Sequence, residues 1–466
     1  MIRQKGTNDK NLSRAEKIFE DILHATSPCG VQIYRPHKIY HRLFSPIVLL
    51  WCLLFQRLNA DHSCDAVVAQ LRSGSFDHLE SQAGKLPISQ RCRSESNAGY
   101  CQARKRLSIE VLERALSYTV EQIRHSAAWL LQDINRPVYL LDGSTLTLRP
   151  HPELERVLGR HKTVKKLSYW VIMRITVLFC LHTGSLVAVK EGSLRQSEVE
   201  LGKTCLLRQP AGYICVADRG FGMFSIVQSI QHTQGDALVR LSRPRAKKLY
   251  PQQLYPGADL PVTWQASDRD HVDPTMSLEP VQGRIIYTRL ERAGFRSQDL
   301  YLFTTLLDRT TFPASKLVAL YGLRWHVEVH LRYVKRTLDL YLLEGKSLDI
   351  VRKELLAGLL AYNLLRCFMI LAAHQAGCQP YQLSVNQSLR RVTIFLFETY
   401  PTPVMGGEQF TQLILRLAEC QLRQADVFRI EPRWVRPKDK TYPEFWSGRD
   451  QARAQYVQNR SRMAVW

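Results

Sequence analysis

Three acidic side chains and the cations around one of them dominate the chemistry open to this chain. Asp142 follows the apolar run Val138–Leu141, and Asp218 follows the apolar run Ala211–Ala217. Glu328 sits inside the stretch Tyr321–Lys335, which reads YGLRWHVEVHLRYVK. Either aspartate alone, before Gly143 or Arg219, reads as an ordinary turn residue. Both runs look like buried strands, however, and in open α/β sheets ligands gather at the carboxyl ends of strands. Three carboxylates delivered by separate elements form the donor set of a two-metal phosphodiester site. Magnesium takes oxygen ligands and leaves positions for water and phosphate, and two such ions activate the attacking oxygen and stabilise the leaving one.

The stretch around Glu328 has a helical pattern. At ~100° per residue, Arg324, Glu328, Arg332 and Lys335 all fall within about 60° of Tyr321. Leu320, Leu323, Val327, Leu331, Val334 and Leu338 form an apolar seam beside that polar stripe. Taken alone, such a stripe is a solvated face laced by i,i+4 ion pairs. Set behind the two aspartates, it reads as a metal-binding carboxylate with cations placed for a nucleic-acid backbone. His326 and His330 fall at about 140° and 180°, away from Glu328, which rejects a zinc site there.

Composition agrees with an anionic partner. Lys and Arg total 64 against 42 Asp and Glu, for a net charge of +22 and a pI near 9.7. A bias of that size in a long globular chain points to a polyanion, nucleic acid above all. Eleven cysteines are scattered singly with no CxxC pair, which excludes a zinc ribbon or disulfide framework and fits a reducing cytoplasm. The polar, basic start MIRQKGTNDKNLSRAEK has no apolar h-region of a signal peptide. Pro46–Phe55 is too short to cross a bilayer, and Leu355–Ala373 is interrupted by Asn363 and Arg366, so it reads as a buried helix. No membrane segment is expected.

These residues need elements to hold them. Residues 1–130 read as all-helical, with a helical piece at Ser13–His24, a helical pattern over His37–Leu71, a turn-rich passage over Ser73–Asn97, and a basic cluster at Arg104–Arg106 that suits a solvated face or a DNA backbone equally. Residues 131–241 alternate strands and helices around Asp142 and Asp218, with a basic loop at Arg149, Arg156, Arg160, Lys162, Lys165 and Lys166. Residues 242–299 turn proline-rich, with short strands at Pro261–Trp264 and Arg284–Glu291, and read as a β-rich insertion. Residues 300–400 resume with a strand, Leu300–Leu306, then a long helix beginning at Pro313 and an apolar helix over Asp349–Ala376. Residues 401–466 carry a helix over Gln409–Leu422 and a segment with Arg433, Trp434, Arg436, Pro437 and Lys438 that suits a basic arm.

Tyr321, Arg324, Glu328 and Lys335 stand at the spacings Y-x2-R-x3-E-x6-K, behind LLDGST at Asp142, VADRGF at Asp218 and the upstream segment AGYCQARKRL. In these features the chain resembles insertion-sequence-4-type DDE transposases, over roughly residues 40–375. The resemblance implies an α/β, RNase H-like catalytic core, interrupted by the β-rich insertion and preceded by the all-helical N-terminal region. It implies that Asp142, Asp218 and Glu328 bind two Mg²⁺ ions, with Mn²⁺ as a substitute, and that Tyr321, Arg324 and Lys335 contact phosphates near the cleaved end. Arg332 shares their face but lies outside the signature, and is expected only to touch the backbone. The implied partners are double-stranded DNA, both transposon ends and target, and a second copy of the chain in a synaptic complex. The implied place of action is the cytoplasm, at the nucleoid.

Cut-and-paste transposition with 3′-hydroxyl strand transfer is therefore the expected activity. A nuclease of the same core without strand transfer, and a domesticated DNA-binding protein, are the other two readings. A hairpin step would want an aromatic to stack on a displaced base. Trp264 and Trp325 are the two to consider, although each suits a packed core as well.

Overall fold

The computed structural model describes residues 43–80, 86–131, 134–162, 167–268, 270, 277–290, 298–399 and 407–422. The helical piece at Ser13–His24, Lys165, Lys166, Glu291 and the segment from Arg433 to Lys438 lie outside the described residues.

Helices come first: α1 Pro46–Leu58, α2 Cys64–Arg72, α3 Ile88–Arg91, α4 Ala98–Arg106 and α5 Ile109–Ser126. Ser45 caps α1 ahead of Pro46, and Ser63 caps α2, so each helix begins where a hydroxyl can take an orphan backbone N–H. In the described part of the helical pattern expected over His37–Leu71, from residue 43 on, there are two helices, separated by the Asn59–Ser63 turn.

The strands are β1 Val138–Leu148, β2 Arg160–Lys162, β3 Leu167–Cys180, β4 Leu186–Gly192, β5 Ile214–Ala217, β6 Asp236–Leu241, β7 Asp259–Trp264, β8 Val281–Leu290, β9 Gln298–Thr304 and β10 Leu342–Leu343. Between them lie α6 Pro152–Leu158, α7 Glu198–Leu206, α8 Phe224–His232 and α9 Arg243–Leu249. The basic loop expected after Arg149 is therefore largely the short helix α6 and the short strand β2. The sheet order is β2-β3-β1-β5-β6-β9-β8-β7, with β4 also paired to β3 and β10 to β1. β1, β5 and β6 run parallel, joined by helical crossovers, while β3, β4, β9, β8 and β7 pair antiparallel. The two proline-flanked strands β7 and β8 continue the central sheet outward through β9.

After β9 come α10 Ala314–Gly322, α11 Trp325–Arg332, a π-helical turn at Tyr333–Thr337, α12 Leu348–Ala376, α13 Val385–Ile394 and α14 Gly407–Ala418. α12 is long and apolar enough to cross a membrane, yet most of it is buried against the other helices and the sheet. Its buried Asn363 and Arg366 are both engaged. Asn363 accepts from Leu186 N at 2.9 Å and donates to Leu186 O at 3.0 Å, which pins β4. Arg366 donates to Thr183 O in the β3–β4 turn, where Gly184 takes a φ of 66°.

One hydrophobic core runs from α1, α2 and α5 through one face of the sheet to α11 and α12. A second covers the other face, beneath α7 and α8. The described N-terminal helices therefore share their core with the sheet. A buried ionic junction reinforces the link: Glu354 of α12 accepts from Arg104 at 2.6 Å, stands 3.7 Å from Arg57, and takes the backbone N–H groups of Glu344 and Gly345. Lys353 reaches the carbonyls of Arg104 and Lys105. Arg104 is accordingly neither a solvated nor a DNA-facing cation, whereas Lys105 and Arg106 are exposed.

Candidate active site

The site is built at a gap in the sheet. β1 pairs in parallel with β5 only from Val138 to Leu141, and its next partner on that edge, β10, joins at Thr147. Asp142 is the first residue beyond the pairing with β5. Asp218 is the first residue beyond β5, and the register Leu141↔Ala217 sets the two aspartates side by side. Asp142 is not at a strand end, as expected from the apolar run, but inside an eleven-residue strand that stays paired to β3 through Val177. The polar residues that follow it, Gly143–Thr145, hid the continuation. Leu140 and Val216 face the core shared with α11, and Leu141 and Ala217 face the other. Strand alternation thus turns Asp142 toward α11.

The two helices that carry the cations are not one helix. α10 ends at Gly322, Leu323 and Arg324 form a tightened turn with i→i+3 bonds from His326 and Val327, and α11 starts at Trp325. The single helical wheel therefore misplaces some residues. Leu323, expected in the apolar seam, is 45% exposed, while Tyr321, expected on the polar stripe, is only 8% exposed. The other seam residues, Leu320, Val327, Leu331, Val334 and Leu338, are buried. The π turn after α11 carries Lys335, whose Nζ donates to Ser144 Oγ at 3.2 Å on β1.

Arg324 occupies the centre. Its Nη2 donates to Glu328 Oε1 at 2.7 Å, and its Nη1 stands 3.6 Å from Asp142 Oδ2. Burial pushes the Asp142 carboxyl up to about 6; the N–H of Gly143 opposes that, the charges of Asp218 and Glu328 add to it, and Arg324 offsets part. Asp218 Oδ1 accepts the backbone N–H of Gly220 at 2.8 Å and of Phe221 at 3.3 Å, which orients it on its turn. The Tyr321 phenol is raised by burial, and lies within the field of Arg324, Arg240 and Asp218, with Arg240 donating to it. Burial lowers the Lys335 ammonium, and neighbouring Arg336 adds to that.

The structure thus brings together Asp142, Asp218, Glu328, Tyr321, Arg324 and Lys335. Arg332 is exposed and takes no part in these contacts. Among the described residues no three acidic, histidine or cysteine side chains close to metal-ligand distances, because Arg324 stands between Asp142 and Glu328. Two neighbours escaped the sequence reading. Arg240 looked like one residue of the strand DALVRL, and Ser144 like one of a polar run. Only sheet register and helix packing place them here. Of the two tryptophans, Trp264 is packed edge-on against Phe303 with centroids 4.8 Å apart, whereas Trp325 is 60% exposed at the start of α11. His330 is buried, its Nδ1 against the Tyr362 hydroxyl at 3.1 Å.

Residues 134–364 match the family model described as a transposase DDE domain, a span that holds all six converging side chains. Over this span the chain is similar to DDE transposases. It is 25% identical over 296 residues to the transposase InsG for insertion sequence element IS4 of Escherichia coli strain K12, a match that covers 62% of this chain and 64% of that relative's length. A cryo-EM structure of the piggyBac transposase synaptic complex with hairpin DNA overlaps it with a TM-score of 0.40 and 11% identity, over 89% of this chain and 84% of the other. DDE transposases work with divalent metal ions, and Asp142 and Asp218 lie within the matched span, at the open edge of β1.

Proposed function

We propose that this chain is a cut-and-paste DNA transposase, which cleaves DNA at the terminal inverted repeats of an insertion sequence and joins the freed 3′-hydroxyl to target DNA. The convergence of Asp142, Asp218 and Glu328 at the unpaired edge of β1, with Arg324 among them, carries this reading. An RNase H-like core is supported by an antiparallel trio, β1, β3 and β4, followed by parallel β5 and β6 with helical crossovers.

The donor set fits a hard dication. All three residues offer carboxylate oxygens; burial first, with the charges of Asp218 and Glu328 adding to it, raises the Asp142 carboxyl, and a cation would favour its ionised form. Two Mg²⁺ ions, or Mn²⁺ in their place, would be held by Asp142, Asp218 and Glu328, and when bound they supply an activated oxygen nucleophile and neutralise charge at the transferring phosphate. Arg324 turns from the carboxylates to a phosphate of the DNA end. Its place on the turn between α10 and α11 leaves its backbone outside both helices. Tyr321, held by Arg240, and Lys335, held by Ser144, clamp the same end from either side. Arg332 serves as an outer backbone contact. Trp325, exposed beside Arg324, is the aromatic placed to stack on a displaced base.

The assignment extends to the rest of the chain. Residues 1–130 serve end recognition, 131–241 and 300–400 form the catalytic core, 242–299 form the β-rich insertion, and 401–466 form a C-terminal region with a basic arm. Two copies act together in a synaptic complex at the nucleoid.

The deciding experiment supplies purified protein and Mg²⁺ with end-labelled DNA carrying the element's inverted repeats. Cleaved ends and joined products are expected from the wild type, and neither from Asp142→Asn, which keeps its DNA affinity. Nicks without joined products would identify a nuclease. Cleavage that survives Asp142→Asn would refute the triad.

A further inference from the structure

We propose that Arg324 gates the loading of metal. Its guanidinium and the dications compete for the same carboxylate oxygens, and a phosphate of the DNA end that draws Arg324 away frees them. The gate presupposes that Asp142, Asp218 and Glu328 are the metal ligands, as proposed above. One guanidinium spans two of the three. Its Nη2 donates to Glu328 Oε1 at 2.7 Å, and its Nη1 lies 3.6 Å from Asp142 Oδ2. Asp142 Oδ1 accepts the N–H of Gly143 at 2.9 Å, so Oδ2 is the oxygen left to face Arg324. A cation that close to these oxygens repels a second cation at them.

Arg324 is placed where it can leave. It stands in the tightened turn between α10 and α11, its own N–H bonded to Tyr321 O at 3.0 Å, so its side chain can swing while both helices stay in place. The Glu328 side chain that it bonds is 38% exposed, so the pair borders solvent rather than the core. Glu328 takes only one guanidinium nitrogen, whereas a phosphate can accept two parallel N–H···O bonds from the planar fork. Phosphate and metal thus favour each other: one takes the guanidinium, the other the carboxylates it releases. Such coupling is mutual by linkage. It confines the metal-dependent chemistry to a site with DNA engaged.

The test measures Mn²⁺ binding to the full chain by paramagnetic resonance of the free ion, first without DNA. Arg324→Gln is expected to bind Mn²⁺ about tenfold tighter than the wild type, a usual size for coupled sites. Arg336→Gln removes one exposed charge nearby and should bind as the wild type does. An equal gain there would overturn the gate, since net charge alone would then explain it. A duplex ending in a pre-cleaved transposon end, its own Mn²⁺ uptake subtracted, should tighten Mn²⁺ binding to the wild type and do less for Arg324→Gln. A variant that binds Mn²⁺ no tighter than the wild type without DNA, or that gains as much from the duplex, would overturn the proposal. Circular dichroism checks folding. If Arg324→Gln does not fold, Arg324→Lys carries the test: a point charge cannot fork to both carboxylates, and it should bind Mn²⁺ more tightly than the wild type. Asp142→Asn separates the gate from the triad. If it binds Mn²⁺ like the wild type, the triad assignment itself fails. If it loses Mn²⁺ while Arg324→Gln gains none, only the gate is overturned.

Discussion

Asp142 shows what the site costs the fold. Its carboxyl is pushed up to about 6 from an ordinary 3.8, first by burial, with Asp218 and Glu328 adding repulsion. A carboxyl held above its unfolded value is stabilising while protonated, and that stabilisation is lost as pH rises through about 6. Near pH 8, without metal, Asp142→Asn is therefore expected to stabilise the protein, by roughly 1–3 kcal/mol. Mn²⁺ should raise the melting temperature of the wild type but not of the variant, since only a competent site stabilises by binding. Scanning calorimetry with and without Mn²⁺ checks both, and a metal-free variant that melts below the wild type would contradict them. Lys335 makes a different case. Lys335→Ala is expected to weaken binding to a pre-cleaved transposon end more than to unrelated duplex DNA, and gel-shift titrations on the two would show it. Equal loss on both would make Lys335 a general backbone contact.

At the scale of elements, the site depends on breaks in regular structure. β1 loses a neighbour at Leu141, the helix that should run on from Pro313 stops at Gly322, and α11 opens into a π turn before Lys335. Such turns inside helices are frequent at functional sites because they re-aim one side chain. The elements are then locked from behind. Arg104→Ala would leave Glu354 with the more distant Arg57 as its only cation, beside two backbone N–H groups, a loss of about 3–5 kcal/mol by the rule for a broken buried pair. Urea denaturation measures it, and a cost near zero would show the junction to be solvated. Gly184 joins β3 to β4 under α12. A Cβ there would sit 2.4 Å from Arg366 Nη2 and 2.6 Å from His330 Cε1, at a φ of 66°. Gly184→Ala should cost more than about 1 kcal/mol, both for the backbone and for the displaced arginine.

Across the whole molecule, the N-terminal helices and the sheet are not separable bodies, since α1, α2 and α5 complete the core over α12. A fragment beginning at residue 134 would expose that apolar face. It is expected to lose its cooperative melting transition and bind a hydrophobic dye, and a sharp transition at the full-length temperature would argue that the core halves are independent. The net charge of +22 predicts DNA binding that falls steeply with salt. Arg332→Ala should lower the slope of log affinity against log salt by about 1, for one lost phosphate contact.

The chemistry of this protein was legible in one dimension because spacing and residue type travel together there. Asp142, Asp218, Glu328 and the Y-x2-R-x3-E-x6-K signature are local patterns, and the apolar runs before the two aspartates locate the start of β1 and the end of β5. Tertiary structure alone decided which residues meet. Register between β1 and β5 sets the aspartates level, and a strand carries no mark of its partner's register. The helix break put Tyr321 inside and Leu323 outside, against a wheel that assumes an unbroken period. Arg104 looked like surface charge until Glu354, 250 residues away, supplied its partner. Pairings over such distances in sequence leave no periodicity to read, so the folded contact is the first place they exist.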